Sequence, residues 1–590
     1  MMMRLPRDSD TYKRSECKRT ATDSLNSLDH DGTHTVRIRD ELSERHGVRS
    51  RRSADRADDG GVRNSAGGYV FAVDDMTRLR RFCILGAEGG TYYASERQLK
   101  LENAQAVARL VESGRVAEAV GELVAVSEAG RAPKQDATIF ALAALARLGK
   151  TAEERKVAFE AIGRVCRIPT HLFGFVANSE TIVPGSSGWG RMMRSAVAKW
   201  YNEKRPAALA MALTKYQQRD GWSHRDVLRL AHCKPAGRAQ QLLFKYATKG
   251  GWAAICDEEV DAGEWADESG EDLGRVVAFL EAVEEAKSAT EERLVALIKA
   301  HRLVREHVPT GMLSSAAVWE GLLHEMPMTA LVRNLNKLTQ VGLLAADGAA
   351  VDSVVARLCD EGQLRAARIH PLNLLVAMRT YAKGKGELGK LEWVPNEQIV
   401  SALDRAFYAS FRFVVPTGKR FVLALDVSGS MSFTAIGGMG GLTPRDAAAA
   451  MAMVTLRTEP MCRVMAFQDR FVPLDLRPTD TLEQATKKTD GLPFGATDCS
   501  LPMVWARESG VEADVFVVYT DSETYAGKVH PAAALQQYRT AMGIDARLIV
   551  VGMVSNGFTI ADPSDAGMLD IVGFDTAAPE IMRGFACGEV

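Results

Sequence analysis

Hydrophobic and polar residues follow two different patterns along this chain, and the second pattern occupies its last third. Four short, unbroken apolar runs occur there: Phe421 to Leu425, Val464 to Phe467, Val515 to Tyr519 and Leu548 to Val551. Such runs are typical of strands that are buried on both faces of a parallel sheet. Between them, Pro444 to Thr458 and Pro531 to Met542 read as helices that open with proline. The alternation predicts an α/β doubly wound domain over residues 412–590.

The region before residue 412 carries a helical pattern that repeats. Val107, Leu110 and Val111 share one helical face, and Gly114 follows as a stop signal. Similar stripes follow at short intervals, joined by brief polar turns. Helices that end so often predict stacked helical hairpins with a period of roughly 40 residues. We therefore expect an α-helical repeat module over residues 80–411.

Residues 1–79 differ from everything that follows them. The stretch is rich in Arg, Asp and Ser and poor in aromatic and branched apolar residues, so we expect that it buries no core. Two interpretations remain open, a disordered extension and an over-long start assignment. Met76 would be the internal start under the second interpretation.

Oxygen-bearing side chains cluster at the ends of the predicted strands. They are Asp426, Ser428, Ser430, Thr497 and Asp521. Ligands of doubly wound sheets bind beyond the carboxyl ends of the strands, so we expect these side chains to meet. Hydroxyls with one or two carboxylates suit Mg²⁺. The set predicts a divalent-cation site that can accept a carboxylate or phosphate from a partner, although Asp-x-Ser-x-Ser alone is also compatible with a polar turn.

The segment from Trp189 to Pro235 combines positive charge with aromatic rings. It contains ten Lys and Arg residues against three Asp and Glu, with five aromatic residues between them. Cations neutralise phosphates and planar rings stack on unpaired bases, so this composition predicts an RNA surface. The alternative is an ordinary solvated helix face with core aromatics. The candidate RNA-binding side chains are Lys215, Arg219, Arg225, Arg229, Arg191 and Lys204, with His171 as a further candidate.

Longer motifs connect these regions to known families. The oxygen set resembles the metal-ion-dependent adhesion site of von Willebrand factor A domains. Three motifs, among others, resemble the Ro 60 kDa autoantigen family: Arg167-Ile168-Pro169-Thr170-His171-Leu172-Phe173, Gly221-Trp222-Ser223-His224 and Arg368-Ile369-His370-Pro371. Matches of this kind extend over roughly residues 80–590 in order, so the chain resembles a bacterial Ro protein, with a TROVE module followed by an A domain.

The resemblance implies a fold and a function. It implies HEAT-like helical repeats bent into a ring that the A domain closes. It also implies that His224 lies in a site for Y RNA, a small structured noncoding RNA, on the outer basic surface. Single-stranded 3′ ends of misfolded or damaged RNAs would enter the central hole. The resemblance therefore implies a role in RNA quality control, processing or stress recovery. We expect an exoribonuclease as a partner, and we expect the protein itself to be a monomer.

Composition narrows the remaining possibilities. The net charge of −2 does not by itself indicate nucleic acid. Nine cysteines at scattered spacings predict reduced thiols in a cytoplasmic protein. No apolar run approaches the roughly 18 residues that span a bilayer, and Met1 to Arg7 lacks the apolar core of a signal peptide. No phosphate loop, nucleophile elbow or zinc set occurs, so we expect no enzymatic activity.

A function from another class fits the same residues. The A domain could capture an acidic group of a partner through its cation, and the helical part would then be the scaffold of a metal-dependent protein-interaction adaptor. RNA binding should fall steeply with salt and survive chelation, whereas adaptor binding should be lost with EDTA.

Overall fold

The chain folds into two compact units. Its secondary structure consists mainly of helices and one large sheet. The computed structural model describes residues 61–182, 189–252, 255, 270–345, 348–386, 391–411, 415–433, 435–436, 442–490, 492 and 495–589. One unit comprises described residues between 142 and 281, and the other joins residues 61–141 to described residues from 282 onwards. The part of the predicted extension that covers residues 1–60 lies outside the described residues.

The described residues between 75 and 411 form α-helices over most of their length. Their bounds are α1 (Asp75–Leu85), α2 (Glu96–Glu112), α3 (Val116–Glu128), α4 (Asp136–Leu148), α5 (Ala152–Glu160), α6 (Ile162–Val165), α7 (Pro169–Ile182), α8 (Arg191–Asn202), α9 (Pro206–Lys215), α10 (His224–Ala231), α11 (Arg238–Lys249), α12 (Gly270–Glu285), α13 (Glu291–His301), α14 (Ala316–His324), α15 (Met328–Gln340), α16 (Ala349–Leu358), α17 (Glu361–Ala367), α18 (Pro371–Ala382) and α19 (Glu397–Ala409). Short 3₁₀ turns occupy Arg305–His307 and Thr310–Ser314.

Local sequence accounts for the ends of these helices. In α2, Ser95 accepts a hydrogen bond from the backbone N–H of Gln98, and the helix stops just before Gly114, whose φ is 73°. The predicted apolar stripe of α2 is buried, with Val107 and Leu110 no more than 1% exposed. The predicted helical repeats are thus confirmed as helices with one buried face.

Strands are concentrated near the C-terminus. Their bounds are β1 (Val62–Arg63), β2 (Tyr69–Ala72), β3 (Gln218–Arg219), β4 (Trp222–Ser223), β5 (Phe421–Asp426), β6 (Cys462–Phe467), β7 (Phe471–Pro473), β8 (Val515–Thr520), β9 (Arg547–Gly552), β10 (Phe558–Thr559) and β11 (Met568–Val572). The accompanying helices are α20 (Pro444–Thr458), α21 (Leu482–Asp490), α22 (Leu501–Glu508), α23 (Pro531–Met542) and α24 (Ala578–Cys587), with a 3₁₀ turn at Gly429–Ser432.

Six of these strands form one sheet in the order β11-β9-β8-β5-β6-β7. All neighbours are parallel except β7, which pairs antiparallel with β6. Every residue of β5 and β8 is buried, as expected for central strands of a covered parallel sheet. The four predicted strands and both predicted helices are therefore confirmed, and so is the α/β fold.

Residues 61–79 correct the prediction for the N-terminal segment. β2 pairs antiparallel with β10, and Val70 and Phe71 lie in the apolar core beside Phe516 and Ile560. The prediction that this stretch buries no core is wrong for residues 61–79. An apolar run within it, Tyr69 to Val73, supplies strand β2, and the polar composition of the wider segment concealed this run.

A buried arginine joins helix α1 to this sheet. Arg81 has no exposed surface and forms an ion pair with Asp570 of β11. Its guanidinium also donates to the carbonyl of Phe558 at 2.8 Å and to Oδ1 of Asn556 at 3.2 Å. A β-carbon at Gly552 would lie 2.7 Å from Nη2 of Arg81, so glycine makes room for the side chain. Both terminal nitrogens of the guanidinium thus have fixed partners away from water.

Within the described ranges, no helix combines the length and the apolar character that crossing a bilayer requires.

We predict that Arg81→Ala lowers the free energy of unfolding by about 3–5 kcal/mol, because it leaves the largely buried Asp570 without its partner. The neighbouring Arg80 pairs with Glu122 in a partly exposed position, so Arg80→Ala should cost about 1 kcal/mol or less. Urea denaturation followed by circular dichroism measures both changes. Equal losses for the two variants would contradict the structural role of Arg81.

Candidate functional site

The two central strands of the sheet each lead into an aspartate. Asp426 is the last residue of β5, and Asp521 directly follows β8. The chain runs from β5 to β6 on one side, whereas β8 lies on the other side of β5, so their carboxyl ends flank a topological switch point. Ligands of doubly wound sheets bind at such points. Asp426 and Asp521 are 0% and 3% exposed.

Hydrogen bonds fix both carboxylates. Oδ1 of Asp426 accepts from the backbone N–H of Ser428 at 2.9 Å, and Oδ2 accepts from the hydroxyl of Thr520 at 2.7 Å. The hydroxyls of Ser428 and Ser430 are 3.1 Å apart, and the Ser430 side chain lies near enough to the Asp521 carboxylate to lower its pKa, against the larger effect of burial. The structure thus brings together four of the five predicted oxygen ligands.

The fifth, Thr497, lies beside the loop that follows Asp521. Its carbonyl accepts from the backbone N–H groups of Tyr525 at 3.1 Å and Ala526 at 2.9 Å, and from the hydroxyl of Thr524 at 3.2 Å. Thr497 is 1% exposed. Its backbone is therefore held at the same end of the sheet, and its role as a ligand remains a prediction.

Electrostatic repulsion is concentrated at this point. Burial raises the pKa of Asp426 to about 7, and the neighbouring charge of Asp521 adds to the effect. Burial likewise raises the pKa of Asp521, and it raises the pKa of Glu523 to about 7 with Asp521 as a further cause. A divalent cation between the carboxylates would favour their ionised forms.

The donor set fits a hard cation. Among the described residues, no group of three or more His, Cys, Asp or Glu side chains is placed to hold a metal. A cation at this site would therefore depend on the hydroxyls of Ser428, Ser430 and Thr497 as well as on the two aspartates. Such a mixture of neutral and charged oxygens suits Mg²⁺.

Sequence reasoning missed an aromatic cluster, formed by Tyr92, Tyr93 and Phe433, at the edge of this site. The Tyr92 ring lies 4.9 Å from the Tyr93 ring and 5.2 Å from the Phe433 ring, between centroids. Tyr92 is 51% exposed and Phe433 75% exposed. Burial first, and then the charges of Asp521 and Glu523, raise the pKa of Tyr93. Two adjacent tyrosines were the only sequence signal, because Phe433 joins them through the fold alone.

The predicted basic surface lies on helices α8 and α10, which pack against each other. The rings of Trp189 and Trp222, just before the two helices, have centroids 6.0 Å apart, so the amino-terminal ends of the helices meet. Four exposed arginines lie on these helices: Arg191, Arg194, Arg225 and Arg229. In the described part of the chain, their guanidinium groups have no ion-pair or hydrogen-bond partner. We call these four residues the arginine face.

Four other predicted contacts are engaged or partly buried. Arg219 is exposed and forms an ion pair with Asp220 at 3.3 Å. Nζ of Lys204 lies 4.0 Å from the Trp200 ring centroid, and burial lowers the pKa of this amine. Nζ of Lys215 lies 5.1 Å from the centroid of the adjacent Tyr216 ring. His171 is partly buried in the first turn of α7.

For Lys204 the structure favours a packing role. Its ammonium also donates to the carbonyl of Arg167 at 3.3 Å, in addition to covering Trp200. The charged end already has partners within the protein, and the phosphate contact of Lys204 stays a prediction.

His224 is buried among aromatic side chains. Its side chain is 4% exposed, its Nδ1 lies 2.8 Å from the Tyr201 hydroxyl, and the Phe173 ring meets it edge-on at 4.9 Å. Burial lowers the pKa of His224 to about 4, so the ring is neutral at pH 7. His224 lies on the buried face of α10 and Arg225 on the outer face. A role of His224 in RNA binding stays a prediction.

We predict that, in metal-free buffer, Asp426 contributes stability to the native protein that is lost as the pH rises from about 4 to 7. An unfolded aspartate ionises near pH 3.9, whereas buried Asp426 ionises near 7, so the folded state holds the extra proton in this window. The dependence of stability on pH should be weaker in Asp426→Asn. It should also be weaker in the native protein when Mg²⁺ is present at a saturating concentration. Melting temperatures from pH 4 to 8, in EDTA and in Mg²⁺, test this. The same pH slope in native protein and Asp426→Asn would refute the assignment.

Two family models match the chain. The TROVE domain model matches residues 62–379, and the Ro60 vWA domain model matches residues 420–586. The first match begins at β1, in agreement with the structured residues before residue 80.

Full-length relatives and a solved structure are also similar. The RNA-binding protein RO60 of Caenorhabditis elegans is 42% identical over 595 residues, covering 91% of this chain and 92% of that protein. The RNA-binding protein RO60 of Deinococcus radiodurans is 41% identical over 542 residues, covering 92% and 98%. The crystal structure of the Deinococcus radiodurans RO (RSR) protein matches with a TM-score of 0.64 and 40% identity, covering 88% of this chain and 100% of that one. The chain therefore belongs to the Ro60 family, with a TROVE domain followed by a Ro60 vWA domain.

Proposed function

We propose that this chain is an RNA-binding protein whose principal RNA surface is the arginine face of helices α8 and α10. The observation that carries the proposal is that its four guanidinium groups are exposed and have no partner among the described residues. Cations held on rigid helices without internal partners can bind phosphates and release counterions. Similarity to proteins named RNA-binding protein RO60 supports this assignment.

We propose that the RNA at this face is a small, structured noncoding RNA of the Y RNA kind. The amino-terminal ends of α8 and α10 meet at Trp189 and Trp222, so helix dipoles add positive potential where Arg191 and Arg225 lie. A folded RNA presents phosphates at fixed spacings, which suits cations fixed on two packed helices. The resemblance to the Ro family motifs supports the same ligand.

We propose a second RNA contact, for single-stranded 3′ ends, at the aromatic cluster. The exposed rings of Tyr92 and Phe433 can stack on unpaired bases of any sequence, which suits misfolded or damaged RNAs. These activities describe a cytoplasmic factor in RNA quality control, processing or stress recovery. An exoribonuclease partner and a monomeric state complete the proposal, and both rest on the family resemblance. The chemistry proposed is binding, without catalysis.

The metal-dependent adaptor is the second candidate function. The buried pair Asp426 and Asp521, together with hydroxyl donors, favours a Mg²⁺ ion that shares its open position with a carboxylate or phosphate of a partner. Chelation separates the two functions, because EDTA should release such a partner and leave RNA at the arginine face. RNA that co-purifies from the native cells, identified by sequencing, provides the direct test, and the absence of an enriched small RNA would favour the adaptor.

We predict that Arg225→Glu with Arg229→Glu weakens binding of the co-purified small RNA at least about tenfold and flattens its salt dependence. Both side chains are exposed on α10, so the fold should remain intact. Arg293→Glu is the control, because Arg293 is exposed but already paired with Glu285. Filter-binding titrations at several salt concentrations measure the effect. Unchanged affinity and salt slope in the double variant would exclude this face.

We predict that Tyr92→Ala or Phe433→Ala weakens binding of a short unstructured RNA by about tenfold, since one base–ring stack is worth about 1–3 kcal/mol. Binding of the structured RNA at the arginine face should not change. Leu101→Ala, which removes an exposed apolar side chain elsewhere, is the control. Fluorescence anisotropy with a labelled oligonucleotide measures the affinity. Equal binding by native and variant proteins would show that the aromatic cluster does not contact the RNA.

A further inference from the structure

The loop that follows Asp521 has an unusual backbone conformation. Ser522 adopts a φ of 61°, in the left-handed region that residues other than glycine seldom occupy. Its side chain is fully buried, and the loop continues through Glu523 and Thr524, which are 2% and 5% exposed. A conformation of this kind costs about 1 kcal/mol or more and persists only when neighbouring groups hold it.

One set of neighbouring groups comes from the hairpin of β1 and β2, which lies in the same compact unit. Nδ2 of Asn64 donates to the carbonyl of Ser522 at 3.3 Å and to the carbonyl of Thr524 at 2.7 Å. Oδ1 of Asn64 accepts from the backbone N–H of Gly68 at 2.8 Å, which closes the hairpin. Asn64 is 5% exposed, so water does not compete for these bonds.

The hairpin also meets the loop backbone to backbone. A β-carbon at Gly68 would lie 1.9 Å from the carbonyl oxygen of Thr524, so only glycine fits there. The backbone N–H of Ala66 donates to Oε2 of Glu523 at 3.1 Å. The hairpin segment from Asn64 to Gly68 therefore fixes the carboxylate of Glu523 and the carbonyls of Ser522 and Thr524 on either side of it.

A second support reaches the loop from another direction. Nδ2 of Asn556 donates to the carbonyl of Asp521 at 2.7 Å, and Oδ1 of Asn556 accepts from Arg81 at 3.2 Å. The loop is thus held by the hairpin through Asn64 and by the buried arginine network through Asn556.

We propose that Asn64 and Gly68 are positioning residues for the candidate metal site. They hold the strained Ser522–Thr524 backbone in the conformation that presents the Asp521 carboxylate to Ser430 and Asp426. A metal ligand must be fixed within about 0.5 Å to bind well, and the groups that orient ligands contribute strongly to metal affinity. The inference rests on the Mg²⁺ site proposed above. Asn64 and Gly68 would support that site although they are far from it in the sequence.

The test uses the full chain and Mg²⁺ as the ligand. Asn64→Ala removes both donor bonds to the loop, so the dissociation constant measured by calorimetry should rise about tenfold. Gly68→Ala should weaken binding further, because the loop must move away from the new β-carbon. Gly61→Ala is the matched control, since a β-carbon there meets Val70 at an ordinary 3.7 Å.

Two further measurements separate positioning from general stability. The rise in melting temperature on adding Mg²⁺ should shrink in Asn64→Ala, whereas a merely structural residue would lower the melting temperature equally with and without the ion. Asn64→Asp keeps the acceptor for Gly68 and loses the donor to the loop. Asn64→Asp should therefore bind Mg²⁺ as weakly as Asn64→Ala does. If Gly68→Ala does not fold, the two Asn64 variants alone test the positioning role.

The outcomes distinguish the positioning role from the site itself. If the native protein does not bind Mg²⁺, or Asp426→Asn binds it equally well, the metal site fails and the positioning role with it. If Asp426→Asn abolishes binding while Asn64→Ala, Asn64→Asp and any folded Gly68→Ala bind as tightly as native protein, the positioning role alone is overturned.

Discussion

Two carboxylates buried next to each other at the centre of a parallel sheet impose the main constraint on this structure. Asp426 and Asp521 lie at the ends of adjacent strands, where neither can reach bulk water and each disfavours the ionised form of the other. Hydrogen bonds from Ser428 and Thr520 reduce the cost but add no positive charge. A hard cation between the two carboxylates would therefore stabilise this arrangement. Hydrogen bonds from the surrounding loops hold the carboxylates in place.

The groups that keep this arrangement come from distant parts of the chain. Arg81 supports Asn556, which supports the Asp521 backbone, and Asn64 holds the next residues of the same loop. Arg81 and Asn64 lie within the range matched by the TROVE domain, whereas Asn556 and the carboxylates lie in the Ro60 vWA domain. The amino-terminal segment thus contacts the loop that follows Asp521 in the C-terminal domain.

The proposed RNA surface illustrates how one short segment supplies both core and surface. Helix α10 directs His224 inward to Tyr201 and directs Arg225 and Arg229 outward. Lys204, which was also predicted to bind phosphate, covers Trp200 in the structure. Charge composition alone could not separate these cases, because it counts cations without regard to the side of the helix on which they lie.

The sequence by itself determined the strands and helices of the α/β domain, the helical character of the preceding region and the collection of oxygen ligands at strand ends. These features follow from local periodicity and from the rule that parallel strands present their carboxyl ends together. Tertiary structure alone decided that β2 pairs with β10, that the His224 face of its helix is the buried one and that Tyr92 meets Phe433. Local periodicity can place two side chains on opposite faces of a helix, but contacts between residues far apart in the chain decide which face is buried.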